Sequence, residues 1–303
     1  MQTVTLGKST LKCSRLAFGC WRIGTPGVDG PAAVRAAFEA GYTLFDHADI
    51  YSNGAGETIF GQVLRDSPAL RGQAVIATKC GVRKPGEPAG TPARYDLSAA
   101  HILASCDGSL RRLGVETIDL YHLHRPDWLC DPAEVAEAFS KLQQAGKVRE
   151  FGVSNFRPSQ VSMLQQACAR PLLVNQVEIS LANLSAFNDG TIDQCLGEKI
   201  TPLAWSPLAG GQLGEGAKYL LPSQKTYRPQ PIVESLDAIA QAHGTTRPNV
   251  ALAWLLKHPA GIIPIVGSTN PEKIAAATRA VDVELSREEW YRLLKAARGE
   301  KVP

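Results

Sequence analysis

The chain has 303 residues, 44% hydrophobic and 20% charged, an ordinary composition for a folded soluble protein. A formal net charge of +3, with no lysine- or arginine-rich run, argues against a nucleic-acid partner. The first residues, MQTVTLGKST, carry no apolar signal core, and no window reaches about 18 uninterrupted apolar residues, so no membrane span is expected and a cytoplasmic location is.

In chain order, apolar runs of strand character alternate with amphipathic helical stretches. RLAFGCW near 15–21 reads as the first strand, PAAVRAAFEAGY as a helix, TLFDHA at 43–48 as the second strand and AVIATKC at 74–80 as the third. A long, irregular, Gly- and Pro-rich loop, GVRKPGEPAGTPARYD (81–96), follows. Next come the helical stretch SAAHILASCDGSLRRLGV and a fourth strand, IDLYHLH, at 118–124. In DPAEVAEAF, Asp131 stands at an N-cap position before Pro132 and Glu134, opening another helix. Strands five to eight are VREFGVSN (148–155), LLVNQVEI (172–179), ITPLAWSPL (200–208) and GIIPIVGS (261–268). A second long loop spans 209–231, and SREEWYRLLKAARGEKVP closes the chain as a helix with a short tail.

Eight such units without consecutive hairpins predict an α/β fold, a single (β/α)8 TIM barrel spanning 1–303, with long loops after strands 3 and 7. An open doubly wound sheet is the alternative, but no G-x-G-x-x-G follows the first strand. Seven scattered cysteines without a C-x-x-C pair fit reduced thiols, and no His/Cys/Asp cluster has metal-ligand spacing, so no metal is expected.

In a barrel, the C-terminal strand ends converge. Strand 2 ends at Asp46, followed by Tyr51; strand 3 ends near Lys79, and strand 4 at His124. A lysine closing an apolar strand needs an anion, which Asp46 supplies. The ammonium is then expected to favour the phenolate and lower the pKa of Tyr51 from about 10. His124 is placed to orient a carbonyl or relay a proton. The four make an acid–base device for a carbonyl or an alcohol. By alternation His122 points into the barrel as a satisfied core histidine, while His47 faces outward beneath a helix. Trp254 reads as core, and Arg111–Arg112 as a solvated helix face.

FDHADIY, IATKCG, DLYHLHRPD, FGVSNF, NQVEIS, PLAWSPLAGG and IPIVGSTNPEKI together resemble the aldo-keto reductase superfamily, in its order and spacing. The resemblance implies the (β/α)8 barrel and reversible, NADPH-dependent reduction of an aldehyde or ketone to an alcohol. It makes Tyr51 the general acid, Lys79 its activator, Asp46 the residue that positions Lys79, and His124 the group that orients the substrate. It assigns Ser154, Asn155 and Gln176 to the nicotinamide carboxamide, and Trp205 to a ring against the nicotinamide. Ser206, Leu208 and Gly210 fall on the pyrophosphate path, and Gly19 and Trp21 beside the nicotinamide ribose. Ser268, Asn270 and Lys273 would meet the adenosine phosphate, where Gly267 replaces a frequent lysine. That departure weakens a 2′-phosphate clamp, but Lys273 could supply the charge, and the expected cofactor is still NADPH in preference to NADH. Trp21 and Trp128 are candidate walls of the substrate pocket, which the short C-terminal tail would leave open to a broad range of small carbonyl compounds. The rival reading is a cofactor-binding regulatory or sensing barrel subunit with little turnover.

Overall fold

The computed structural model describes residues 1–216 and 220–300. Eight parallel strands form a closed barrel in sequential order: β1 (Ala17–Gly19), β2 (Leu44–Asp46), β3 (Val75–Cys80), β4 (Ile118–Leu123), β5 (Val148–Ser154), β6 (Leu172–Glu178), β7 (Thr201–Trp205) and β8 (Ile263–Val266). The ring closes where Ile265 and Val266 of β8 pair with Ala17 and Phe18 of β1. The expected single (β/α)8 barrel is the observed architecture.

Helices α1 (Gly30–Glu39), α2 (Ala55–Asp66), α3 (Ala99–Leu113), α4 (Pro132–Gln144) and α5 (Pro158–Ala167) follow strands β1 to β5. The outer ring continues with the short α6 (Ser185–Asn188), α7 (Thr191–Glu198), α8 (Gln230–Ala242), α9 (Arg247–Leu256) and α10 (Pro271–Ala277), and ends at α11 (Arg287–Arg298). Local chemistry sets several of their starts. Asp131 accepts from the Ala133 amide at the head of α4, and Ser98 from the His101 amide at the head of α3. Gly114, in the left-handed region at φ 66°, ends α3. No helix among the described residues is long and apolar enough to cross a membrane.

Strand alternation divides the core. Leu44, Ala77, Leu120, Val174, Leu203 and Ile263 fill the barrel interior, while Phe45, Ile76, Tyr121 and Phe151 turn outward to meet the helices. Trp254 is fully buried, stacked on Trp290 at 4.9 Å, and so belongs to the core as expected. Three-residue strands at Thr3–Thr5 and Lys12–Ser14 form an antiparallel hairpin that the sequence did not announce. Its connection puts Leu6 into the interior cluster and bonds the Gly7 amide to Thr201 Oγ1 at 2.8 Å. The hairpin thereby closes the barrel at the strand starts.

The loop after β3 is less irregular than expected, because Val82–Arg83 and Arg94–Tyr95 pair as a small antiparallel ribbon. The loop after β7 carries single 3-10 turns at Ala209–Gly211 and Pro222–Thr226; its residues 217–219, like tail residues 301–303, lie outside the described ones.

Candidate active site

Three strand ends and the loop after β2 carry the four central residues, Asp46, Lys79, His124 and Tyr51. Asp46 ends β2 beside Gly19 of β1, and Lys79 on β3 stands in register with His122 of β4, itself beside Gly152 of β5. Lys79 is fully buried and Asp46 4% exposed, so their charges meet in a largely desolvated setting. The Lys79 ammonium lies 2.8 Å from Asp46 Oδ1 and 2.9 Å from Oδ2. It also donates to the His47 carbonyl at 2.6 Å and to the Tyr51 hydroxyl at 3.3 Å. An ammonium has three donors, and carboxylate, carbonyl and phenol account for all of them.

Burial works to lower the pKa of Lys79, but the Asp46 carboxylate and Tyr51 outweigh it and the net direction is up. Lys79 therefore stays charged. For Tyr51 the outcome corrects the sequence expectation. Burial pushes the phenol up, and the opposing pull of Lys79 does not reverse it. A neighbouring cation lowers a phenol's pKa only relative to the same phenol without it, and here removal from water dominates. A phenol shifted upward keeps its proton at neutral pH, and the Lys79 ammonium stands within hydrogen-bond distance of its oxygen.

The His124 ring stands nearly perpendicular to that of Tyr51, with centroids 5.8 Å apart. Its backbone amide is fixed by the Cys80 carbonyl, and its Nδ1 is buried without a protein partner. Burial first, then the charge of Lys79, hold the imidazole neutral. His122 does face the barrel interior, but as a buried histidine with neither ring nitrogen partnered rather than a satisfied one. His47 packs outward against Phe60 of α2 at 4.6 Å, as expected.

The proposed carboxamide residues form one hydrogen-bonded chain that ends at Asp46. The Trp205 indole N–H donates to Asn155 Oδ1 at 3.0 Å, and Asn155 Nδ2 donates to Ser154 Oγ at 2.8 Å and the His124 carbonyl at 3.2 Å. Ser154 Oγ donates to the Gln176 carbonyl, and Gln176 Nε2 to Asp46 Oδ1 at 2.7 Å. Gln176 thus helps fix the carboxylate that holds Lys79. After β7 the chain turns sharply through positive-φ residues, Ser206 (48°), Ala209 (51°), Gly210 (68°) and Gly211 (101°), with Leu208 between them. The Arg125 guanidinium lies 5.8 Å from the Trp205 ring, a neighbour the sequence reading passed over although it adjoins His124.

At the end of β8, a Cβ on Gly267 would lie 3.2 Å from the Trp21 indole nitrogen, so glycine leaves room for that ring where a lysine would crowd it. Gly19 is tighter still, its missing Cβ falling 2.9 Å from Ile265 Cγ2. Asn270 caps α10 by accepting from the Lys273 amide, and its own amide donates to Ser268 Oγ. The Lys273 ammonium is paired with Glu215 from the loop after β7. Trp21 is 40% exposed and Trp128, on the loop after β4, 90% exposed, so Trp128 stands out from the barrel rather than against the four central residues. Arg112 is the second correction: instead of a solvated face, it forms an ion pair with the fully buried Glu57 at 2.7 Å. Arg111 is exposed as expected, and no His/Cys/Asp/Glu group among the described residues could hold a metal.

Comparison with known proteins agrees with this geometry. A sequence model described as the Aldo/keto reductase family matches residues 15–298. A 6-dehydroglucose reductase of Novosphingobium aromaticivorans is 41% identical over 98% of this chain and 96% of its own length. Another protein of that name, from Agrobacterium fabrum, is 38% identical over the full length of both. The solved structure of a glycerol dehydrogenase from Gluconobacter oxydans superposes with a TM-score of 0.85 at 27% identity, covering 99% of this chain and 97% of that one. A closed parallel barrel, a buried carboxylate–lysine–tyrosine cluster at its strand ends and a family match over nearly the whole length lead to one conclusion: the chain belongs to the aldo/keto reductase family and is an oxidoreductase acting on carbonyl or alcohol groups.

Proposed function

We propose that this protein reduces an aldehyde to a primary alcohol, or a ketone to a secondary one, using NADPH, with Tyr51 supplying the proton; in the reverse direction Tyr51 accepts it. The observation that carries this reading is the Lys79 ammonium, which touches both Asp46 and the Tyr51 hydroxyl in a buried setting. The phenol holds its proton until a carbonyl oxygen gains charge, and Lys79 stabilises the phenolate left behind. The neutral His124 offers an N–H to the same carbonyl oxygen and sets its direction. Trp128, so exposed, is left to contact only the outer part of a long substrate.

A bound nicotinamide cofactor supplies the hydride. The residues present suit such a group: Asn155 and Gln176 are held rigidly beside the tetrad by the Trp205-to-Asp46 chain, and Trp205 offers a pinned aromatic face. The left-handed turn at Ser206, Ala209 and Gly210, with Leu208, would let backbone approach a pyrophosphate. Gly19, Trp21 and Gly267 would border the nicotinamide end, and Ser268, Asn270 and Lys273 the adenosine end. To meet a 2′-phosphate, Lys273 must exchange its contact with Glu215, and both side chains are exposed enough to do so.

The similar proteins are named for a sugar aldehyde and a polyol. We therefore place the substrate among polyhydroxylated aldehydes and their alcohols. The test is steady-state reduction of a panel of sugar-derived, aliphatic and aromatic aldehydes with NADPH and with NADH, for wild type and Lys273→Ala. The proposal expects turnover preferring NADPH and polyhydroxylated aldehydes, and a rise in KM for NADPH but not NADH in the variant. Equal use of both cofactors, unaffected by Lys273→Ala, refutes the cofactor assignment; no reduction of any aldehyde refutes the activity.

A further inference from the structure

Tyr51 sits on a loop, not on a strand, and the backbone just beyond it is costly to hold. Ser52, Asn53 and Gly54 follow one another in the left-handed region, at φ 48°, 56° and 83°. Left-handed backbone is strained at Ser52 and milder at Asn53, and such a run persists only where the surroundings fix it. The fixing group comes from α3. A Cβ on Gly54 would lie 2.6 Å from Arg112 Cδ and 2.8 Å from its Nε, so the turn lies directly against the arginine.

Arg112 is itself held in place. Its Nε donates to Glu57 Oε2 at 2.7 Å, and an Nη donates to Ser109 Oγ at 3.2 Å. Glu57, in the first turn of α2 and fully buried, uses its other oxygen to accept from Thr78 Oγ1 at 2.5 Å. Thr78 is the residue before Lys79 on β3. A continuous path therefore runs from the turn behind Tyr51, through Arg112, Glu57 and Thr78, to the strand that presents Lys79. Asp49 adds to it: its amide donates to the Lys79 carbonyl at 3.1 Å, and its carboxyl lies close enough to feel the charges of Glu57 and Arg112. The contact at stake, Lys79 Nζ to the Tyr51 hydroxyl, is 3.3 Å and has little slack before it ceases to be a hydrogen bond.

We propose that Arg112, acting through Glu57 and Thr78, is a positioning residue for the proton donor: it pins the left-handed turn behind Tyr51 so that the phenol stays in contact with Lys79. The inference rests on the reading of Tyr51 as the donor. It assigns kinetic consequence to a pair that touches neither substrate nor cofactor.

The test uses the full chain as wild type, Tyr51→Phe, Arg112→Ala, Arg112→Lys and Thr78→Val. Measured are kcat and KM for an aldehyde, NADPH affinity by quenching of tryptophan fluorescence, and thermal stability. Arg112→Ala should lose roughly tenfold or more in kcat, since misplacement of a reacting group by about 1 Å costs up to 10²-fold. NADPH affinity should be kept, and added guanidinium ion should restore part of the rate. Thr78→Val, which removes only the link to β3, should lower kcat in the same sense, and Arg112→Lys should fall between wild type and Arg112→Ala. If Arg112→Ala does not fold, Thr78→Val and Arg112→Lys decide. Turnover that needs Tyr51 but survives Arg112→Ala, or survives Thr78→Val and Arg112→Lys, overturns this inference alone, even if stability falls. Turnover that Tyr51→Phe leaves intact overturns the proton-donor reading and this inference with it.

Discussion

Replacing Asp46 by asparagine keeps the shape of the site and removes one charge from a buried pair. At 2.8 Å, two unit charges attract by about 6 kcal/mol at an effective dielectric constant of about 20. Lys79 is fully buried and cannot recover that energy from water, but it can shed its proton. Removing one partner of such a pair costs about 3–5 kcal/mol. An unfolding entropy of about 2.1 cal/mol/K per residue over 303 residues gives about 0.6 kcal/mol/K, so the variant should melt about 5–8 °C lower. The pH dependence supplies a sign. In the wild type the pKa of Lys79 is raised, so its stabilisation is complete below the unfolded-state value of about 10.4 and is lost as pH rises through the folded value. In the variant burial acts unopposed by the carboxylate and the pKa should fall below that of the unfolded chain, so stability should rise with pH up to about 10.4. The deficit should narrow between neutral and alkaline pH. Near-UV circular dichroism during heating, at several pH values, measures this. A variant as stable as wild type at pH 7, with the same slope against pH, would refute the claim that Asp46 is needed to keep Lys79 charged.

Two further outcomes follow from the geometry. Asn155 is held at φ 63°, where an L-residue other than asparagine or aspartate pays about 1–2 kcal/mol. Asn155→Gly and Asn155→Ala both lose the bonds to Trp205, Ser154 and the His124 carbonyl, yet the glycine variant should be the more stable by about 1 kcal/mol in denaturant titrations. Equal midpoints would contradict this. Asp49 has a buried Oδ1 without a protein partner, and burial and then Glu57 push its pKa to about 7. A carboxyl raised above its unfolded value of about 3.9 loses stability as pH rises from there through the folded value. Asp49→Asn should therefore gain melting temperature over wild type at pH 8 and little at pH 4; the same difference at both would refute the assignment.

The barrel was legible because its strands are apolar runs spaced by capped helices, and strand alternation alone placed His47 outside and His122 inside. The pairing of Asp46 with Lys79 was legible because a buried ammonium needs an anion. What escaped were effects decided across long sequence separations. Glu57 and Arg112 lie 55 residues apart, and an arginine in the last turn of a helix looks the same in sequence whether it meets water or a buried carboxylate. Gln176 reaches Asp46 across 130 residues. The direction of the Tyr51 shift was misjudged because it depends on how much water reaches the phenol, which residue order does not state. The N-terminal hairpin has three residues per strand, too few to show a period.

The central claim is that Tyr51 gives the proton and that Lys79 makes this possible. The measurement that bears on it most directly compares wild type and Tyr51→Phe in the aldehyde-dependent loss of NADPH absorbance, with NADPH binding followed separately. The account predicts that Tyr51→Phe binds NADPH as wild type does and loses kcat by about 10²-fold or more, the scale of general acid catalysis. Turnover retained in Tyr51→Phe would contradict it, as would a wild type that binds NADPH tightly and reduces no aldehyde, the behaviour of a cofactor-binding regulatory subunit.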